Sequence, residues 1–319
     1  IKPDSRNPVQ NTAVTGRGKK ERDMKTGMKF RKMMMAAAAG MMILAGCGSS
    51  GGEEKKADSG KEVLKVGVEC AYPPFNWTQT EETTTSGKEA EPIYGTSQYA
   101  YGYDVAVAQE MARALDMDLE VHKSEWASIT QGLDAGDYDV IISGMGRTAK
   151  REQSYDFTDP YYYRTNCLVV KKGSGLEEIK GLSDLAGKNV TVTTQLGTGW
   201  VDLLDQIPDA TLGANYETTS ECFMAVNNDV ADVVVVDEPT ARAALATNPD
   251  LSIVTLDEND KFKNDEEMTN ICIAVRKGDE ETLKKMEEGL KKVGLTSKED
   301  MDKLMDQSFQ DVPASTIGG

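Results

Sequence analysis

Four short segments, residues 69–75, 143–146, 195–199 and 237–238, hold most of the side chains that could do chemistry, and Arg151 stands eight residues past Ser143. A guanidinium grips a carboxylate through two parallel hydrogen bonds, a geometry an ammonium cannot copy. Taken by itself, Arg151 reads first as a surface member of the charged run Arg147, Lys150, Arg151. Thr198 and Gly199 follow a glycine-containing turn and open a predicted helix, where unpaired N–H groups welcome an anion and where a threonine also serves as a plain N-cap. Glu69 and Asp237 are carboxylates at predicted strand ends; after a run of valines, Asp237 also reads as a surface group that stops a strand. Tyr72 and Trp126 offer aromatic faces, which stack on apolar groups and on cations; Phe75 and Trp77 suit a core better.

Other chemistry is excluded. His122 is the only histidine and is expected on the surface, at the end of a strand over 119–121; histidine-dependent triads and His-rich metal sites fall away. Cys70, Cys167, Cys222 and Cys272 are widely spaced without a C-x-x-C, which argues against zinc and thioredoxin-like sites; buried free thiols are expected. Gly144-Met145-Gly146 lacks the Gly-Lys-Ser/Thr of a phosphate loop. The acidic run 257–267 lacks the central glycine and ligand spacing of a calcium loop and reads as a solvated loop.

The elements that position these residues alternate. Val63–Val68 is a predicted strand, 104–115 a helix with Asp104 as N-cap, 119–121 a strand, 126–135 a helix ending at Gly136, and 140–143 a buried strand. The pattern then returns: 190–193 a strand, 199–206 a helix, 219–227 a helix, 232–236 a strand. Asp139-Val140-Ile141-Ile142 superposes on Asp232-Val233-Val234-Val235 at an offset of 93 residues. Two similar α/β units follow, joined through 161–170 and 270–275. Residues 78–99, polar and rich in Thr and Glu, read as a long surface loop. Leu283, Met286, Leu290 and Val293 make one face of a late helix, and Met301, Leu304 and Met305 begin another. Ligands of open α/β sheets bind beyond the carboxyl ends of the strands, so the four chemistry-bearing segments should line one cleft between the units.

At the other end of the chain, Lys29, Arg31 and Lys32 precede an uncharged run over 33–45 and the tetrapeptide Leu44-Ala45-Gly46-Cys47. Basic region, short apolar core and small-residue cleavage site are the order of a secretory signal, and the run is too short to span a bilayer as a stable helix. The cysteine resembles the lipobox of bacterial lipoproteins, in which it becomes the N-terminus and carries the lipid; an incidental cysteine behind an ordinary secretory signal is the alternative. Met28 is expected to be the start, 1–27 upstream sequence, 28–46 the signal peptide and 47–60 a flexible tether. Residues 1–46 carry 10 of the 36 basic and 3 of the 53 acidic side chains, so the remaining 273 residues hold 26 and 50, a net charge of −24. Such a surface repels phosphate backbones and anionic lipid heads, which excludes nucleic acid as a partner and leaves the lipid as the only membrane attachment.

From about Lys61 onward the chain resembles the extracellular solute-binding proteins of amino-acid ABC transporters, in the polar amino-acid group. The matching stretches, in order, are Tyr72-Pro73-Pro74-Phe75, Gly102-Tyr103-Asp104-Val105, Asp137-Tyr138-Asp139-Val140-Ile141-Ile142-Ser143-Gly144-Met145, Arg151, Asp156-Phe157-Thr158-Asp159-Pro160-Tyr161-Tyr162, Gln195-Leu196-Gly197-Thr198 and Asp237-Glu238. The resemblance implies a two-lobed α/β fold of the periplasmic-binding-protein type II, with lobes over 61–164 and 165–268, a return to the first lobe over 269–319, and two crossover strands as hinge. It implies a monomer without cofactor or metal that captures an amino acid, delivers it to a membrane permease and sits outside the cytoplasm on lipidated Cys47. Arg151 would hold the ligand α-carboxylate, Thr198 and Gly199 the same group from the other lobe, and Asp237 the α-ammonium. Tyr72 and Trp126 would sandwich the side chain, with Ser143, Gly144, Met145, Gly146 and Gln195 completing the site. Glu69 matches an acid of cationic amino-acid binders, which favours a polar or cationic ligand. Two departures stand out: Gly146 replaces a common hydroxyl residue, and Arg147, if turned inward, would disfavour cations. A few relatives of this fold are exported dehydratases and others are sensor domains; no feature of this sequence calls for turnover.

Overall fold

The computed structural model describes residues 60–263, 269–295 and 297–313. The chain divides into two units, Ile1–Lys55 and Lys56–Gly319, and all described residues belong to the second. Cys47, the expected signal peptide and all of the tether but Gly60 therefore lie outside the described residues.

Two five-stranded sheets share one plan. The first runs in the order Asp118–Lys123, Val63–Val68, Val140–Ile141, Ala274–Arg276, Tyr155–Phe157; the second runs Thr211–Leu212, Thr191–Thr193, Val233–Asp237, Asn166–Lys171, Leu251–Val254. In each, the first three strands are parallel and the fourth is antiparallel to both neighbours. The antiparallel strand always comes from a crossing. The chain leaves the first sheet at Tyr155–Phe157 and enters the second at Asn166–Lys171; it leaves at Leu251–Val254 and re-enters the first at Ala274–Arg276. On the way, Tyr162–Tyr163 and Asn270–Ile271 pair antiparallel. The crossings fall where the sequence places them.

The 93-residue repeat is also physical. Asp139 and Asp232 accept the backbone N–H of Lys65 and Thr191 at 3.1 and 2.7 Å, and each returns its own N–H to the carbonyl of that same residue. The same carboxylate clamp thus sets the register of the third strand against the second in both sheets. The valines behind it are buried on both faces, as central parallel strands require.

Several helices follow the sequence closely. Thr219–Asn227 begins with a capping box between Thr218 and Glu221. The segment Trp126–Ser128 forms a 3-10 turn that leads into Ile129–Ala135, closed by left-handed Gly136. Glu280–Val293 and Lys298–Asp311 bury Met286, Leu290, Met301 and Met305. All four described cysteines are buried and free. Burial raises Cys70, Cys222 and Cys272 to about 12, so they are inert as nucleophiles at neutral pH. No described helix is long and apolar enough to cross a membrane.

Four expectations are corrected. Asp104 is not an N-cap: the helix is Tyr103–Ala114, capped by Gly102, and Asp104 is fully buried. Its carboxylate instead accepts hydrogen bonds from Asn76 at 2.7 Å and the Tyr161 hydroxyl at 2.6 Å, partners far away in sequence. The 78–99 loop is folded. Ala71–Tyr72, Asn76–Gln79, Tyr99–Tyr101 and Glu91–Pro92 form a four-stranded antiparallel sheet in that order, anchored by buried Trp77, Ala90, Ile93 and Ala100. Most of its Thr and Glu face water, while Thr84 and Glu91 are buried. The helix over 199–206 shrinks to Val201–Leu204. His122 lies inside the strand Asp118–Lys123, its ring stacked 4.7 Å from Tyr94 and its Nε2 2.7 Å from Glu120; it is half-buried rather than on the open surface.

Candidate ligand-binding cleft

Two adjoining cavities lie at the carboxyl ends of the strands. The inner one, about 10 Å³, is lined by Glu69, Tyr72, Trp126, Ser143, Gly144, Gly146, Arg151, Arg164, Gln195, Thr198 and Trp200. The outer one, about 500 Å³, shares Trp126, Arg151 and Thr198 and adds Met145, Gly197, Gly199, Asp202 and Gln206. Of the twelve predicted site residues, nine line the inner cavity and two, Met145 and Gly199, line the outer. Asp237 lines neither.

Arg151 sits where the two cavities meet. Its Nη1 donates to the Gly146 carbonyl at 2.8 Å and its guanidinium lies 5.3 Å from the Trp126 ring. No acidic side chain pairs with it among the described residues. Burial, and then the Arg164 guanidinium, lower it to about 10, so it remains charged. Arg147 turns away: it is exposed, donates to Glu152 at 2.6 Å and lines neither cavity.

Glu69 is almost fully buried, and its Oε1 accepts from Gln195 Nε2 at 2.7 Å, a contact that ties the first sheet's strand end to the second's. Its backbone N–H donates to Ser143 Oγ at 2.9 Å. Thr198 Oγ1 donates to the Gln195 carbonyl at 2.7 Å and so closes the turn that brings Gly197 against Trp126. Tyr72 stacks on Phe75 at 4.9 Å, and its ring passes so near Gly144 that a Cβ there would fall 2.6 Å from Cε1. Gly144 also has φ of 59°, so glycine is required twice over.

Asp237 is an N-cap. Its Oδ1 accepts the Thr240 N–H at 2.9 Å at the start of Glu238–Leu245, and its Oδ2 accepts the Tyr72 hydroxyl. Asp237 is fully buried, so it is not the surface group that the alternative reading of a strand stop had it to be. Sequence reasoning missed Arg164 and Trp200. The Arg164 side chain is 3% exposed, and its Nη1 donates to the Tyr72 hydroxyl at 2.8 Å and to the Gly144 carbonyl at 3.2 Å. Its guanidinium lies 4.8 Å from the Trp200 ring. The available signal was an arginine directly after three tyrosines within the crossing segment.

Burial raises Glu69 to about 8 against the stabilising hydrogen bond from Gln195, with Asp104 raising it further and Lys123 lowering it. A folded-state value above the unfolded one means the native state binds more protons between about 4.5 and 8. The contribution of Glu69 is thus fully present below the unfolded value and is lost as pH rises through the folded one. Urea titrations at pH 5 and pH 8.5 should show a smaller loss of stability in Glu69→Gln than in the wild type; equal losses would place Glu69 outside this account.

The two-sheet topology with paired crossings, and a polar cleft at the strand ends, define a type II periplasmic-binding-protein-like fold. Residues 64–311 match the bacterial extracellular solute-binding proteins, family 3, and the chain belongs to that family. Similar proteins include a probable histidine-binding protein of Campylobacter jejuni, 30% identical over 188 residues that span 59% of this chain and 65% of that protein. ABC transporter arginine-binding protein 1 of Escherichia coli is 26% identical over 73% of this chain and 85% of its own length. Among solved structures, an ancestral arginine-binding protein bound to glutamine has a TM-score of 0.61 at 28% identity, covering 77% of this chain and 97% of that one.

Proposed function

We propose that this protein captures an amino acid with a polar or cationic side chain and hands it to the membrane permease of an ABC importer, without chemical turnover. The observation that carries the reading is Arg151: a charged guanidinium, enclosed at the meeting point of two cavities, with no acidic partner among the described residues. It is built to receive a ligand carboxylate, with Thr198 and Gly199 approaching from the other side. Tyr72 and Trp126 form the walls, with Ser143, Gly144, Met145, Gly146 and Gln195 completing the site. The outward turn of Arg147 toward Glu152 keeps that cation away from a cationic ligand.

The lobes are 61–164 with 269–319, and 165–268, hinged at the crossing strands. An inner cavity of about 10 Å³ holds roughly one water, so an amino acid enters by parting the contacts Glu69–Gln195 and Tyr72–Asp237. The protein works as a monomer outside the cytoplasm, held to the membrane by lipid on Cys47. Relatives named for histidine and arginine, and a structural neighbour bound to glutamine, support the ligand class.

Thermal-shift screening against the twenty amino acids tests this. A ligand at a hundred times its Kd stabilises by about 2.7 kcal/mol, which should raise Tm by roughly 5–10 °C for a chain of this size. A panel in which no amino acid moves Tm would contradict the reading, and glutamate outranking both arginine and glutamine would refute the side-chain class.

A further inference from the structure

Asp104 is fully buried and lines neither cavity, yet its hydrogen bonds lead to the cleft wall. Its Oδ1 accepts the Tyr161 hydroxyl at 2.6 Å, and that hydroxyl oxygen accepts the Gly144 N–H at 3.2 Å. Its Oδ2 accepts from Asn76 Nδ2 at 2.7 Å, and the same Nδ2 reaches Ser143 Oγ at 3.5 Å. Asn76 keeps this orientation although its own Oδ1 is buried without a hydrogen-bond partner among the described residues, an unfavourable state that the carboxylate must offset. One carboxylate thus reaches both residues of the Ser143-Gly144 pair from behind, and both of them line the inner cavity. The crossing segment completes the hold: Tyr161 takes the Gly144 N–H, and Arg164 Nη1 donates to the Gly144 carbonyl at 3.2 Å. Gly144, at φ of 59°, has no side chain to anchor it, so its peptide groups lie where these partners put them.

We infer that Asp104 is a positioning residue for ligand binding: through Tyr161 and Asn76 it fixes the Ser143-Gly144 wall of the cleft without touching the ligand. The inference rests on the amino-acid reading of the cleft. Burial raises Asp104 to about 7, against the hydrogen bonds from Tyr161 and Asn76, the Arg164 charge and the Gly144 N–H. The folded value lies above the unfolded one, so the native carboxyl takes up a proton as pH falls through about 7. A protonated carboxyl has to donate, whereas both of its side-chain partners already donate to it, so the hold on the wall loosens in acid. The charged and titratable groups around Asp104 are Glu69 and Cys70 at the first strand's end, Tyr103 on its own helix, and Tyr161 and Arg164 from the crossing. Of the acids among these, Glu69 alone titrates near neutrality, at about 8.

Calorimetry on the full chain tests the relay. Arginine, glutamine and any other of the twenty amino acids that raises Tm are titrated into wild type, Asp104→Asn, Tyr161→Phe and the double variant. An amide offers one acceptor where two donors converge, so Asp104→Asn leaves one donor facing another. Asp311→Asn is the control: Asp311 is also buried, but it ties the last helix to Ser86, outside the cleft. At pH 8, Asp104→Asn and Tyr161→Phe should each lose roughly tenfold in affinity, the worth of one ordinary hydrogen bond. The double variant should lose no more than about threefold beyond either single one, because both cut the same chain of contacts, and the control should stay within about threefold of wild type. At pH 5.5 the gap between wild type and Asp104→Asn should shrink to about threefold or less, since residue 104 is then neutral in both and Glu69 titrates in both. Wild-type affinity in Asp104→Asn at pH 8, even with a lowered Tm, would make Asp104 a stability residue only and overturn the inference while the amino-acid reading stands. Additive losses in the double variant, or a gap that does not change with pH, overturn it likewise. If Asp104→Asn does not fold, Tyr161→Phe carries the test, and wild-type affinity there overturns the inference. A wild type that binds none of the twenty overturns both.

Discussion

Arg151→Ala should weaken amino-acid binding by roughly thirtyfold or more while leaving the fold intact. A ligand carboxylate enclosed in the cleft without its guanidinium costs on the order of 2–5 kcal/mol. The fold should tolerate the change because the side chain's polar contact within the protein is one hydrogen bond to the Gly146 carbonyl, and because its removal relieves repulsion from Arg164. Arg151→Lys should also bind poorly, since a lysine offers a point charge and not a two-pronged donor. Calorimetry that finds wild-type affinity in Arg151→Ala would show that the carboxylate sits elsewhere.

Cys47→Ser should move the protein completely from the membrane fraction to the soluble fraction of the producing cell. The acidic remainder of the chain, at a net charge of −24, offers anionic lipid heads nothing to hold, so under the proposed anchoring attachment would depend on the lipid. Mass spectrometry of the native N-terminus should find a lipid-bearing Cys47 with nothing ahead of it. An unmodified cysteine, or residues upstream of it, would end this part of the account.

Sequence patterns gave away the local and the repeated. Val63–Val68 and Thr219–Asn227 came out at the observed bounds because alternation and capping are nearest-neighbour signals. The doubled Asp-Val-Ile/Val segment revealed the two-lobed plan because one carboxylate clamp serves both sheets. What failed depended on distant partners. Asp104 looked like a cap because Gly102-Tyr103-Asp104 suits helix starts, yet Asn76 and Tyr161 claim its oxygens. Residues 78–99 looked like a loop because a one-sided sheet needs few apolar residues, and Trp77, Ala90, Ile93 and Ala100 suffice. Within the site, the cleft-lining segments were legible as strand ends. Arg164 was not, since only the fold shows that a crossing strand brings it beside Tyr72, Gly144 and Asp237.

The central claim is that the cleft binds an amino acid and releases it unchanged. The most direct measurement is to incubate the purified protein with a stoichiometric amount of the amino acid that raises Tm most, remove free ligand, denature the protein and identify what was retained by mass spectrometry. The account predicts close to one mole of the same amino acid per mole of wild-type protein, and almost none with Arg151→Ala. A converted product, or retention that is equal in wild type and Arg151→Ala, would contradict it.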